Sequence, residues 1–170
     1  MTPRKVMRPM DMTIDETVDA LVASGAFWFG GAATIDRIQH AEQTLGEKFP
    51  AAFVVWLLRY GGGGARGSEI SGVYAPEDDL EHGSVIGDTI RLRETVGLPA
   101  GMVALLCNED QAPWCLHTDP AAGGTCPVVS YADGKVKTLY PDFTAFFADY
   151  VVAFAQDAGS DLRKSRPTNT

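Results

Sequence analysis

The sequence predicts an α+β domain whose antiparallel or mixed sheet, of about five or six strands, packs with helices in one compact pairing of layers. Three observations predict it. Residues 34–61 carry two successive apolar stripes at helical spacing, divided by Gly46 and Pro50. From Met102 the period changes to short apolar runs separated by turns, with Asp133-Gly134 between the last two. Phe143, Phe146, Phe147, Tyr150, Val151 and Phe154 then return to helical spacing.

In chain order, residues 1–12 contain Pro3 and Pro9 without periodicity and are expected to be disordered. Thr13 and Glu16 form a capping-box signature, and Ile14, Val18, Leu21 and Val22 supply the stripe of a short first helix that ends at Gly25. Phe27, Trp28 and Phe29 follow. Three consecutive aromatics cannot all face one core in regular structure, so either core packing or a partner contact is open to the outward one. The next helix has Thr34 as N-cap, Ile35, Ile38, Ala41 and Leu45 as its stripe, and Gly46 as a left-handed stop. Pro50 suits the first position of the helix after it, whose stripe is Phe53, Trp56, Leu57 and Tyr60. Neither helix can bury its stripe alone.

Gly61 to Gly64 read as a mobile or tightly turned connection. They are not a phosphate-binding Walker loop, because Ala65 and Arg66 stand where the lysine and hydroxyl are needed. Glu69 to Tyr74 has β character with Gly72 as a bulge, and reads as the first strand. Pro76 opens an acidic loop, EDDLEHG, before a helix carrying Ile86, Ile90 and Val96 that stops at Gly97 with Pro99 beyond. MVALLC, WCLHT, CPVVSY and KVKTL read as antiparallel strands, with NEDQAP and PAAGG as loops and a solvated face on the last strand. Asp142 caps the closing aromatic helix. The domain is expected to span 13–156, and 157–170 to be a disordered tail.

Composition and charge narrow the function. No stretch reaches the roughly 20 apolar residues of a membrane helix, and residues 1–12 lack the apolar run of a signal peptide, so a cytoplasmic location is the expectation. Cys107, Cys115 and Cys126 are an odd number at spacings that match no zinc pattern, which suits a reducing compartment and small buried thiols. The formal net charge is −8. Its source is one segment, where Glu69, Glu77, Asp78, Asp79, Glu81, Asp88, Glu94, Glu109, Asp110 and Asp119 face only Arg91 and Arg93. Such a segment repels nucleic-acid phosphates and anionic lipid and steers a basic partner; it also serves solubility.

Evidence for catalysis is thin. His40, His82 and His117 belong to no HExxH or GxSxG motif. Cys115 and His117 share one face of a strand and could join Cys107 as soft metal ligands, but a fourth ligand is missing. The acidic loop lacks the EF-hand spacing for Ca²⁺. No cofactor is expected.

Ile38, Glu42, Leu45-Gly46, Phe49-Pro50, Gly61-Gly62, Ile70 with Gly72, Leu98-Pro99, the run 102–107, and Phe143 with Phe146-Phe147 occur in an order that resembles the SMI1/KNR4 (SUKH) family over about 34–154. The resemblance implies a SUKH-like α+β fold. It also implies a non-enzymatic immunity protein that binds and neutralises a cognate polymorphic toxin, a nuclease among the possibilities, and works as a monomer or weak homodimer. The acidic balance adds a basic toxin surface as the complement, with Tyr74, Glu77, Asp78, Asp79, Glu81, Glu109 and Asp110 as the candidate contact residues. A general interaction or regulatory module of the same fold is the alternative, and a small metal- or thiol-dependent enzyme built on Cys107, Cys115 and His117 is a third reading.

Overall fold

In a computed structural model, residues 12–108, 110–119 and 126–164 are described, with 158–164 as backbone alone. The termini, Glu109 and the PAAGG loop from Pro120 lie outside these residues. Seven strands form one antiparallel sheet in the order of the chain: β1 (Phe27–Phe29), β2 (Gly63–Ala65), β3 (Ser68–Ile70), β4 (Met102–Leu106), β5 (Trp114–His117), β6 (Val128–Ala132) and β7 (Lys135–Tyr140). Helix α1 (Ile14–Ala23) precedes β1, α2 (Ile35–Leu45) and α3 (Ala51–Tyr60) join β1 to β2, α4 (Val85–Thr95) joins β3 to β4, and α5 (Phe143–Lys164) closes the chain. The α+β class is as expected, with more strands than the sequence led us to count.

Local chemistry sets the helix ends. Thr13 and Glu16 exchange both bonds of a capping box, and Thr34 and Asp142 accept the amides of Arg37 and Ala145. Gly46 ends α2 in the left-handed region, φ 72°. Pro50 is the N-cap of α3 rather than its first residue, with extended backbone and a carbonyl that accepts the amides of Phe53 and Val54. The joint between α2 and α3 closes on Glu42, whose buried carboxylate accepts the Phe49 amide at 2.9 Å and the Lys48 ammonium at 3.3 Å. Glu47 ties the same joint to the sheet, accepting the Gly101 amide and the Thr118 hydroxyl.

The glycine run is not a loose connection. Gly63 and Gly64 lie in β2, paired on one side with Phe29 and Trp28 and on the other with Ile70 and Glu69. Glycine is required there by crowding. A Cβ on Gly62 would collide with the Tyr74 hydroxyl and the Gly72 backbone, and one on Gly64 would come within 2.5 Å of the Tyr150 hydroxyl. The segment from Glu69 accordingly pairs as a strand only to Ile70 and is third in the sheet, not first. Beyond it Gly72 makes an isolated parallel bridge with Ser84, and Val73 donates to the Gly61 carbonyl at 2.7 Å.

The main core fills one face of the sheet. Phe53, Trp56, Phe143, Phe146, Phe147, Tyr150 and Phe27 interlock through edge-to-face and stacked ring pairs. Along β5, Trp114 and Leu116 face this core while Cys115 faces a smaller cluster with Leu98, Met102, Val129 and Tyr131. Several expectations fall at the margins. Ile35 is 49% exposed and Val96 48%, because each sits at a helix end, beyond the buried part of the stripe. Cys107 is exposed, since the strand has ended at Leu106. Helix α5 continues to Lys164, past the residue 156 at which we expected the domain to end; a helix already nucleated by its aromatic face propagates through a polar segment at little cost.

Candidate functional site

The sheet is weakest in pairing between β3 and β4, which share the single register pair Ile70↔Leu106. The Ser71 amide still donates to the Leu105 carbonyl at 2.8 Å, and Asn108 reaches the Ser68 hydroxyl on the other side of the pair, where a cavity of 730 Å³ lies. Trp28 lines it from β1, Gly67 from the β2–β3 turn and Glu69 from β3, Cys107, Asn108, Asp110 and Gln111 from the segment after β4, Tyr74, His82 and Gly83 from the connection to α4, and Asp88 from α4.

Strand alternation puts Trp28 there. Phe27 and Phe29 pack on the main core, so the residue between them faces the opposite side. Trp28, Gly64 and Glu69 form one cross-strand row, and across the bare glycine the Trp28 Nε1–H donates to Glu69 Oε1 at 3.3 Å. The Gly67 amide donates to the same oxygen at 3.0 Å. The ring of Tyr74 lies against Gly30 and Gly62, where any side chain would strike it. Burial pushes the Tyr74 phenol up to about 12, and the charges of Asp88 and Glu69 add to that. Asp88 is structural: its buried carboxylate accepts the Ser71 hydroxyl at 2.7 Å, the Gly83 amide, and an Arg91 N–H at 2.8 Å.

A second hollow, of 350 Å³, lies on the other side of Tyr74, lined by Gly30 to Thr34, Arg37, Val73, Ala75, Pro76 and Asp78. Tyr74 is the one lining residue that the two hollows share, and together they are termed the groove.

Of the residues singled out in the sequence, Tyr74, Asp78 and Asp110 come together along this groove. Glu77 and Glu81 are exposed on the loop beside it without lining either hollow. Asp79 is not a free surface acid. Its carboxylate pairs with Arg37 and lies 3.4 Å from His40 Nε2, both on α2. Arg37 also donates to the Tyr74 carbonyl at 3.1 Å, so one guanidinium ties the approach to the acidic loop to its middle. Glu109 lies outside the described residues. Trp28, Glu69, Asn108 and Gln111 were missed; the alternation in Phe27-Trp28-Phe29 was the one available signal for the first.

The chemistry of the groove runs against nucleophilic catalysis. Cys107, His82 and Asp88 line one cavity; although Cys107 is exposed as a residue, the protein packed around its sulfur and the Asp88 carboxylate push its thiol up to about 12, with Arg91 opposing. An activated thiol needs the opposite shift. Among the described residues no group of three His, Cys, Asp or Glu side chains could hold a metal ion, and Cys115 faces the smaller cluster, away from such a role.

A family model described as SUKH_5, SMI1-KNR4 cell-wall, matches residues 10–152. The chain belongs to the SMI1-KNR4 family. In this SMI1-KNR4 domain the residues that carried the resemblance mostly fill the core, as Ile38, Leu45, Phe143 and Phe146 do. Glu42 and Gly46 build the α2–α3 joint, Gly62 and Gly72 let the backbones meet beneath Tyr74, and Ile70 makes the register pair between β3 and β4. No helix among the described residues is long and apolar enough to cross a membrane.

Proposed function

We propose that this SMI1-KNR4 domain is a non-enzymatic immunity protein that binds a cognate toxin through the acidic groove astride Tyr74. The toxin presents a basic surface, as a nuclease does, and is neutralised when that surface is covered in the cytoplasm. The observation that carries this reading is the electrostatics of the groove: Glu69, Asp78 and Asp110 line it with Asp88, which is paired with Arg91, against Arg37, which is committed to Asp79 and Tyr74, and His82. Glu77 and Glu81 extend the negative field beside it, and Glu109 adjoins Asp110 in sequence. Family membership supports the same reading. Nucleic acid and anionic membrane are poor partners for such a face.

The test is co-expression of the chain with the toxin-like protein encoded beside it, followed by pull-down and assay of toxin activity. Copurification with loss of toxicity supports the reading. A free, active toxin in the presence of folded protein contradicts it and favours a regulatory interaction module of the same fold.

A further inference from the structure

The larger hollow is more specific than a negative patch. Its Glu69 carboxylate is oriented before any ligand arrives, because the Trp28 indole and the Gly67 amide both donate to Oε1 and leave Oε2 without a recorded protein partner among the described residues. Asn108 donates its amide nitrogen to the Ser68 hydroxyl at 3.3 Å, which leaves its carbonyl oxygen as the available acceptor. Gln111 and the Asp110 carboxylate add further acceptors, and Trp28 and Tyr74 add two aromatic side chains. The volume, 730 Å³, falls in the range of ligand-sized pockets and leaves room for an extended side chain together with the backbone that carries it.

A ligand suited to these walls is cationic, planar and rich in donors with no acceptor of its own. A guanidinium has those properties, pairing side-on with a carboxylate and stacking on aromatic rings; an ammonium offers a point charge without a face. We infer that the larger hollow receives one arginine side chain of the bound partner, held by the Glu69 and Asp110 carboxylates beside Trp28 and Tyr74. This rests on the proposed binding of a basic protein, and it names the group recognised. The partner's flanking backbone then lies over Tyr74 toward the smaller hollow, where Asp78 waits.

The probe is N-acetyl-arginine methylamide, a single guanidinium on a neutral backbone, titrated into the full ¹⁵N-labelled chain. Its citrulline counterpart, of the same shape without the charge, is the control. The readout is the indole N–H resonance of Trp28, distinguished from those of Trp56 and Trp114 by its absence in Trp28→Phe. A saturable displacement by the arginine probe is expected, at least about tenfold weaker for the citrulline probe and for the Glu69→Gln protein, as loss of a charge-assisted bond implies. Glu69→Gln keeps an oxygen for the Trp28 donor, and its amide spectrum will show that it remains folded. Asp110→Asn, on an exposed segment, supplies an independent second variant and should weaken the probe in the same direction. Equal responses to the two probes, or a Trp28 resonance that neither moves, would overturn the inference. Should the toxin bind with that resonance unmoved, the arginine site fails while the immunity reading stands; should the arginine probe bind and the toxin not, the reverse holds.

Discussion

Tyr150 shows how single side chains hold this molecule together. Its hydroxyl donates to the Ser68 carbonyl at 2.6 Å and accepts the Ala65 amide at 2.8 Å, fastening α5 to the β2–β3 hairpin. Tyr150→Phe leaves two buried backbone groups without partners and should lower stability by about 1–3 kcal/mol, read as a shift in the urea midpoint with unchanged circular dichroism. The position of Tyr150 in an aromatic stripe is legible in the sequence, but its bonds to residues more than eighty positions away are not, because they depend on the glycine at position 64 leaving room. Alkaline pH tests burial at the same scale. Desolvation pushes the fully buried Cys115 thiol up from 9.0 to about 12 and the Tyr150 phenol upward too. The unfolded thiol loses its proton first, so stability is intact below pH 9.0 and falls as the pH rises through that window toward 12. Unfolding free energies measured across the window should decline, and less steeply in Cys115→Ala; a flat profile would contradict this burial.

At the scale of elements, helices were the most legible because their caps are local. Thr13, Thr34, Gly46 and Asp142 mark ends that depend on neighbours within four residues. Strand β2 was not legible. Gly-Gly-Ala has no apolar alternation, and it is a strand only because two partner strands and the Tyr150 ring crowd against it. The Asp133-Gly134 hairpin was legible for the converse reason: both residues take positive φ, 50° and 72°, as that dipeptide favours. The acidic loop depends on a long-range element, α2, through Arg37. Arg37→Ala should cost about 1 kcal/mol or less in global stability, since the pair is partly solvated. Its larger effect should be local, with faster amide hydrogen exchange at Asp78, Asp79 and Glu81 than in the rest of the domain. Equal protection in both proteins would show that the Ser84 bond to the Asp79 carbonyl and the Arg91 bond to the Leu80 carbonyl suffice.

Over the whole molecule, Glu69, Asp88 and Asp110 from the acidic segment line the larger hollow beside the β3–β4 pair, and Asp78 lines the smaller. Tyr74, Asp78 and Asp110, singled out in the sequence, line the hollows; Trp28 and Glu69 reach them by strand alternation and cross-strand register, which the sequence does not display. Nor could it tell that Asp79 is engaged by Arg37, a partner 42 residues away. If this face meets a basic toxin, long-range attraction governs the encounter, and association should slow as salt rises while dissociation changes little. The most direct measurement is the association rate constant, by stopped flow, of a toxin that copurifies with the chain, with wild-type protein and with Asp78→Lys/Asp110→Lys. A fall of about tenfold or more in the variant, with a shallower dependence on salt, is the predicted result. An unchanged association rate at low salt would contradict recognition through the acidic groove.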